Sequence, residues 1–148
     1  MNLEWNLKQF NELTNSELHE IFKLRVDVFI VEQNCVYPEI DGKDEKAHHL
    51  FASSDGSIIA YARILAPGIS YQEASIGRVI VAPSARKNGI GHLLINEAVK
   101  TSLKLYSSDI KIGAQAHLEE YYMNAGFVRV SDEYDEDGIM HIDMLRPR

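Results

Sequence analysis

The feature that most constrains the fold is a β-branched strand that leads through a glycine-bearing loop into an amphipathic helix. Residues 74–81 form the β-branched run, which ends abruptly before Pro83. From Gly89 to about Leu105, apolar residues recur at helical spacing. The free amides and the dipole of such a helix converge on its first turn. The loop therefore predicts a place where an anion such as a pyrophosphate can sit.

Local patterns place further elements on both sides of this unit. A capping-box spacing at residues 14–17 predicts a helix that runs to about Val31. Residues 32–44 lose this periodicity and predict a long loop, and the Asp55-Gly56 dipeptide predicts a tight hairpin. A short helix is expected at residues 117–125. Strands are predicted at residues 3–8, 49–53, 57–65, 74–81, 110–115, 127–130 and 140–145.

The order of these elements predicts an α/β (α+β) fold. Strands that first pair as hairpins and later enclose a helix give a mixed, mostly antiparallel sheet of about six or seven strands, with about four helices over both faces. The chain has 148 residues, the size of one ordinary domain, so we expect residues 1–148 to form a single domain.

Composition excludes several classes of function. The formal net charge of −7 repels polyanions, so we expect no nucleic-acid partner. Cys35 is the single cysteine and cannot form an internal disulfide. The chain shows neither a secretory leader nor an apolar run as long as a membrane span. We therefore expect a cytoplasmic protein with no membrane partner.

The loop itself narrows the choice of anion. It lacks the G-K-[ST] of a Walker A loop and the three-glycine pattern of dinucleotide folds. Its Arg-x-x-Gly-x-Gly pattern, between a strand and a helix, resembles the Q/R-x-x-G-x-G/A signature of the GCN5-related N-acetyltransferase (GNAT) superfamily. The resemblance implies that the pyrophosphate of acetyl-coenzyme A (acetyl-CoA) is held by Arg86, Lys87, Asn88, Gly89, Ile90 and Gly91.

A second string supports the same resemblance. Two tyrosines, three further residues and then Gly126-Phe127 look like the aromatic string of the superfamily. Tyr122 corresponds there to the residue that protonates the departing thiolate, and a phenol with a pKa near 10 suits that task. For Tyr121 we favour a place in the core.

The first half of the chain carries a narrower resemblance. Residues 24–44 read LRVDVFIVEQNCVYPEIDGKD and are similar to the ElaA family within GNAT, with the hallmark L-R-x-x-V-F-x-V-E-Q-x-C-x-Y-x-E-x-D-x-x-D. Residues 77–79, 114–118 and 136–144 extend the match over nearly the whole chain. Met140 stands where these proteins often have proline, a departure confined to one turn.

The resemblance implies direct transfer of an acetyl group from acetyl-CoA to a primary amine in a ternary complex. The backbone amide of Ile80 is expected to stabilise the oxyanion, while Val79 and Val81 pair with the pantetheine arm like an added strand. Gln115 is expected either to contact acetyl-CoA or to cap the end of its strand. No metal takes part in this scheme.

Several residues are candidates for binding the amine or removing its proton, and His141 is the first choice for the base. A strand histidine that only packs is the alternative. The acids of the long loop could attract a cationic amine, or could pair with Arg25, Arg63 and Arg78. The other candidates for these roles are Glu32, Glu39, Asp41 and His117.

Other interpretations stay open at this point. The spacing of Cys35, Asp41, His48 and His49 fits no zinc pattern, so we predict no metal site. A relative of the acyl-homoserine lactone synthases is one alternative, although those enzymes are longer. An acyl-CoA-sensing module without turnover is another, and retention of Tyr122 argues against it. Homodimers are common in the superfamily, and the sequence is compatible with one.

Overall fold

A computed structural model describes residues 2–148 and shows alternating strands and helices. Within these residues there are eight strands and three α-helices. In chain order they are β1 (Glu4–Gln9), α1 (Asn15–Val26), β2 (His48–Ser54), β3 (Ser57–Leu65), β4 (Ser75–Val81), α2 (Ile90–Leu105), β5 (Ile110–Gln115), α3 (Glu119–Met123), β6 (Val128–Arg129), β7 (Tyr134–Glu136) and β8 (Ile139–Arg146).

The strands form two sheets of four. The first has the order β1-β2-β3-β4 with antiparallel neighbours, and the second has the order β5-β8-β6, with β7 also paired to β8. The predicted fold class is confirmed. The counts are not, because the three-residue strand β7 lies outside the predicted strands, and the long loop holds only a short 3₁₀ turn at Asp44–Lys46.

Helix α1 begins as its sequence predicts. The Thr14 hydroxyl accepts a hydrogen bond from the Glu17 amide, and the Glu17 carboxylate accepts one from the Thr14 amide. After α1 the chain continues helically through a π-helical segment, Asp27–Glu32. Such segments are rare and are frequently found at functional sites. Glu32 thereby lies at the end of a continuous helical rod.

The core has two parts, one on each side of the sheets. Helices α2 and α3 pack over one face, where Leu94, Phe127 and Met144 are fully buried. Helix α1 covers the other face with Ile21, which packs in one cluster with Phe51, Tyr61 and Ile80. No helix in residues 2–148 is both long and apolar enough to cross a membrane.

Candidate active site

A cleft opens where the two sheets meet. Strands β4 and β5 are joined only at their beginnings, by a parallel bridge between Ala74 and Ile110 and by a 2.9 Å hydrogen bond from the Lys111 amide to the Ala74 carbonyl. Beyond this point no ladder connects them. The gap is a cleft of about 750 Å³, lined by both strands, by the end of the α1 rod and by the β7–β8 turn.

Strand β4 carries a bulge in the wall of this cleft. Ile80 is in register with Tyr61 and Gly77 with Arg63, so two residues of β4, Arg78 and Val79, lie opposite a single residue of β3. Arg78 has a φ of 52°, in the region that favours glycine. A non-glycine residue held in this conformation stores strain, and such strain clusters at functional sites.

The ladder determines which amides of β4 face the cleft. The Ala82 amide donates to the Ile59 carbonyl at 2.8 Å, and in an antiparallel ladder alternate residues point their amides to the same side. The Ile80 amide therefore points at β3, towards Tyr61, and not into the cleft. The Val81 amide points into the cleft, and Val79 has no ladder partner in β3.

The predicted anion loop follows directly. Lys87 and Gly89 both have positive φ, 72° and 71°, which turns the chain into α2. Gly89 caps this helix without a side-chain hydrogen bond, so the amides of its first turn have no side-chain cap. Gly91 lines the cleft and Ile90 is buried beneath the loop. Asn88 donates to the Ala85 carbonyl at 3.3 Å.

An ion pair connects this loop to the α1 rod. The Arg86 guanidinium donates to both oxygens of Glu32, at 2.8 and 2.7 Å. Its Nε also donates to the Val81 carbonyl at 3.2 Å, on the cleft edge of β4. Both side chains line the cleft, and hydrogen bonding to Arg86 lowers the pKa of Glu32. The pair thus bridges the cleft beside the anion loop.

Tyr122 lines the cleft from the α2–α3 side. Its ring packs edge-on against Tyr121 and Phe127, and only 8% of the residue is exposed. Within residues 2–148 its hydroxyl has no hydrogen-bond partner, whereas the Tyr121 hydroxyl donates to the Gly91 carbonyl at 2.6 Å. Burial raises the pKa of Tyr122, so its phenol stays protonated at neutral pH.

His141 lies on β8 with a defined tautomer. Its Nδ1 is 2.8 Å from the Ile139 carbonyl, which can only accept, so Nδ1 carries a proton and neutral His141 keeps its lone pair on Nε2. The Nε2 atom is 3.3 Å from a carboxylate oxygen of Glu136. The ring stacks on Tyr134 and lines the cleft. Glu136 is not among the residues predicted for the site, although the Asp137-Gly138 dipeptide is typical of a hairpin turn such as the one between β7 and β8.

The remaining predicted residues at this end of β5 differ in their surroundings. Gln115 is in register with His141, and its side-chain amide donates to the Gln33 side chain at 3.2 Å. His117 lines the cleft and is exposed. Gln115 therefore connects β5 to the long loop across the cleft.

The acids of the long loop are held by arginines. Arg25, which is fully buried, donates to Glu39 at 2.8 Å and to Asp44 at 2.6 Å. Arg63 pairs with Asp41 at 2.7 Å, and Arg78 donates to Glu39 at 2.7 Å. The sequence alternative of structural ion pairs is confirmed. Glu39 and Asp41 therefore form part of a closed network that fixes the loop against β3 and β4.

The network sets the charge of its members. Burial alone would raise the pKa of Asp41, but hydrogen bonds from Arg63 and from the Lys43 amide hold it well below its usual range. Burial likewise opposes the charge of Arg25, but the hydrogen bonds to Asp44 and Glu39 and the negative charge of Asp44 together raise the pKa of the guanidinium. Asp41 and Arg25 therefore stay charged at neutral pH.

The residues considered for a metal lie in separate surroundings. Cys35 is buried and donates to the Asp137 carbonyl at 3.1 Å. His49 contacts the Tyr61 hydroxyl, and His48 contacts Tyr106. Residues 2–148 contain no group of three or more His, Cys, Asp or Glu side chains suited to a metal ion.

More distant structures share this architecture. An acetyltransferase from Bacillus subtilis, solved in complex with CoA, has a TM-score of 0.70 at 19% identity and covers 99% of both chains. A CoA-dependent acyl-homoserine lactone synthase, solved with SAM and isopentyl-CoA, has a TM-score of 0.80 at 15% identity over 99% of this chain and 84% of that one. At these identities the likeness concerns the fold alone.

Closer comparisons identify the family. The acetyltransferase (GNAT) domain family matches residues 15–146. A UPF0039 protein of Synechocystis is 40% identical over 147 residues, 98% of this chain and 96% of that protein. The crystal structure of Escherichia coli ElaA has a TM-score of 0.92 at 37% identity over 98% of this chain and 99% of that one. An acyl-CoA N-acyltransferase from Pseudomonas aeruginosa has a TM-score of 0.91 at 42% identity, with 97% and 99% covered. The chain therefore belongs to the GNAT family of acyltransferases, in the group of relatives that includes ElaA.

Proposed function

We propose that the chain is an N-acetyltransferase that transfers the acetyl group of acetyl-CoA to a primary amine within a ternary complex. One observation carries the proposal: the cleft edge of β4, with the outward Val81 amide and the unpaired Val79, leads directly to the uncapped start of α2. An extended pantetheine arm can pair with that edge as an added strand does. A pyrophosphate suits the helix start. The CoA-bound Bacillus acetyltransferase of the same fold supports this choice of donor.

The loop residues have distinct tasks in this scheme. Gly89 and Gly91 let the pyrophosphate approach the backbone closely, and the amides of the first turn of α2 donate to it. Ile90 anchors the loop in the core. The cations of Arg86 and Lys87 add electrostatic attraction. Gln115 lines the cleft beside the bound donor, and Asn88 holds the loop in shape through its hydrogen bond to Ala85.

The bulge supplies the oxyanion donor. When the amine nitrogen attacks the thioester carbonyl carbon, negative charge develops on the carbonyl oxygen until the C–S bond breaks. A preorganised amide at that oxygen stabilises the charge. We assign this role to the amide of Val79, in place of the predicted Ile80, because the ladder directs the Ile80 amide at Tyr61.

Tyr122 acts on the leaving thiolate. Its free hydroxyl in the cleft can donate a hydrogen bond to the sulfur as the C–S bond breaks. A thiol has an ordinary pKa of about 8.5, well below that of this buried phenol, so stabilisation by a hydrogen bond is favoured over complete proton transfer.

His141 removes the proton of the attacking amine. The hydrogen bond to Ile139 keeps the lone pair on Nε2, and Glu136 stabilises the imidazolium that forms. Glu32 and His117 remain candidates for contact with the substrates because both line the cleft. For Glu39 and Asp41 we propose instead a role in holding the acceptor side of the cleft in shape.

A thermal melt tests the donor first. Acetyl-CoA at about a hundred times its dissociation constant adds ~2.7 kcal/mol to the native state, and dephospho-CoA and ATP serve as controls. The proposal expects an upward shift with acetyl-CoA and amine-dependent release of free thiol. No shift at millimolar acetyl-CoA would contradict it. A shift without turnover for any amine would favour a sensing module.

A further inference from the structure

The acceptor end of the cleft lies between two walls of different charge. We call the wall formed by Lys43, Ser70 and Arg78 the loop wall, and the wall formed by Glu136 and His141 the hairpin wall; all five residues line the cleft. The assignment of this end of the cleft to the acceptor rests on the proposed transferase function.

The loop wall presents cationic donors that the protein leaves unused. Arg78 belongs to the ion-pair network that holds the long loop. The charges of this network cancel, because three arginines pair with three carboxylates; the members are Arg25, Arg63, Arg78, Glu39, Asp41 and Asp44. Lys43 contributes a further positive charge. Its ammonium donates to the Ser70 hydroxyl at 2.7 Å and has no carboxylate partner in residues 2–148. Arg78 uses Nε and Nη2 in the network, while its Nη1 donates to no group among the same residues.

The hairpin wall is anionic. The Glu136 side chain is 57% exposed, and its only side-chain partner in residues 2–148 is His141. Behind it, Asp143 accepts a hydrogen bond from the Tyr134 hydroxyl at 2.6 Å. The pKa of Tyr71, which also lines the cleft, is raised by burial and by the charges of Asp143 and Glu136. The Lys111 ammonium lies 5.2 Å from the Tyr71 ring, outside the cleft lining.

Contacts across the cleft limit the size of what can enter. Gln33 and Gln115 meet at 3.2 Å, and the Cys35 thiol reaches the Asp137 carbonyl at 3.1 Å. The long loop thereby touches the end of β5 and the β7–β8 turn. An acceptor end that is bridged in this way suits a small molecule better than a segment of a folded protein.

We infer that the acceptor is a small amino carboxylate, with its amine at the hairpin wall and its carboxylate at the loop wall. Glu136 attracts the ammonium and His141 takes a proton from it. Lys43 and Arg78 Nη1 bind the carboxylate through charge-assisted hydrogen bonds. Acetylation forms the N–C bond and breaks the C–S bond; of the two protons that the ammonium loses, one passes to His141 and the other ends on the departing thiolate, so coenzyme A leaves as the thiol and the amine loses its cationic charge. The product thereby loses its attraction to Glu136, which favours its release.

Matched amines test the inference. Thiol release from acetyl-CoA is measured with ω-amino acids of increasing length, each against the n-alkylamine and the diamine of the same length. We expect the best amino acid to exceed its alkylamine by ~10- to 100-fold in kcat/KM, the range of a hydrogen bond between charged groups. Lys43→Met should reduce this ratio by ~10-fold through KM, while Lys46→Met, a lysine of the same loop outside the cleft, should keep it.

The outcomes separate the inference from the function on which it rests. If alkylamines or diamines react as well as amino acids, or if Lys43→Met keeps the preference, the acceptor class is wrong and the transferase function stands. If no amine releases thiol although acetyl-CoA shifts the melting temperature, the transferase function itself fails, and the inference fails with it.

Discussion

At the residue scale, burial changes what a side chain can do. Tyr122 and Tyr121 are adjacent in the sequence, but the Tyr121 hydroxyl donates to Gly91 while the Tyr122 hydroxyl stays free in the cleft. The raised pKa of Tyr122 keeps it a hydrogen-bond donor over the whole physiological range. Its role therefore depends on the presence of a hydroxyl and not on its titration.

Tyr122→Phe removes that hydroxyl and little else. We expect kcat to fall by ~10- to 100-fold with an unchanged KM for acetyl-CoA, because the lost hydrogen bond stabilises only the developing thiolate. Steady-state thiol release with a reactive amine measures this. Tyr106→Phe removes a tyrosine hydroxyl outside the cleft and should keep the wild-type rate. An unaffected kcat in Tyr122→Phe would remove Tyr122 from the mechanism.

At the element scale, the anion loop depends on backbone conformation at its glycines. Gly89→Ala places a side chain at a φ of 71°, which costs about 1 kcal/mol of stability and moves the amides at the start of α2. Gly56→Ala carries comparable strain at a φ of 80° in the β2–β3 turn, with nothing near its Cβ. We expect similar losses in melting temperature, but only Gly89→Ala should weaken acetyl-CoA binding, by ~10-fold or more in calorimetry. Equal affinities in the two variants would contradict the loop assignment.

The ion pair between Arg86 of the anion loop and Glu32 of the α1 rod leads to a second prediction at this scale. Glu32 occupies the guanidinium of Arg86, so a pyrophosphate at the loop competes with that carboxylate. An exposed pair contributes about 0.2–1 kcal/mol, and Glu32→Gln should therefore tighten acetyl-CoA binding by ~2- to 5-fold.

Titration calorimetry at fixed ionic strength measures the effect of Glu32→Gln. As a control, Glu119→Gln removes an exposed ion pair with Arg129 that does not involve Arg86. This variant should not change the dissociation constant for acetyl-CoA. Weaker binding in Glu32→Gln would show that Glu32 aligns Arg86 for the donor instead of competing with it.

At the scale of the whole molecule, stability depends on groups that the fold keeps in one charge state. Burial lowers the pKa of His49 below its usual 6.5, which keeps it neutral, bonded to Tyr61 and to the Asp44 carbonyl. Burial opposes the charge of Asp44, but the hydrogen bonds and positive charges of Arg25 and Arg63 together lower its pKa below the usual 3.8. In both cases the unfolded chain binds protons more readily than the native protein.

The free energy of unfolding should therefore fall as the pH falls. The first loss of unfolding free energy begins below about pH 6.5, because His49 binds a proton in the unfolded chain but stays neutral in the native protein. This loss amounts to at most about 1.4 kcal/mol per pH unit. A second loss begins below about pH 4, as Asp41 and Asp44 are protonated in the unfolded chain. Urea titrations at a series of pH values measure both.

A histidine variant tests whether His49 causes the loss of stability below about pH 6.5. His49→Gln should abolish the slope between pH 6.5 and pH 5, whatever its effect on absolute stability. His117→Gln replaces an exposed histidine and should retain the slope. A slope that survives in His49→Gln would assign the transition to another group.

Local sequence patterns determined much of the fold and part of the site. The capping box of α1, the Asp55-Gly56 turn and the glycine loop each depend on residues a few positions apart, so a short window of sequence predicts them. For the same reason the sequence could place Tyr122 on a short helix and Gln115 at the end of a strand. The family resemblance rested on these local strings.

Only the tertiary structure decided which groups face the reaction. One extra residue at Arg78 shifts the register of β4, and the side to which each amide points follows from that register, which is why we propose Val79 in place of Ile80 as the oxyanion donor. The arginines that hold Glu39 lie on other elements, so the sequence could not show whether this acid was free. Glu136 joins the site for a similar reason, because its contact with His141 exists only once β7 pairs with β8.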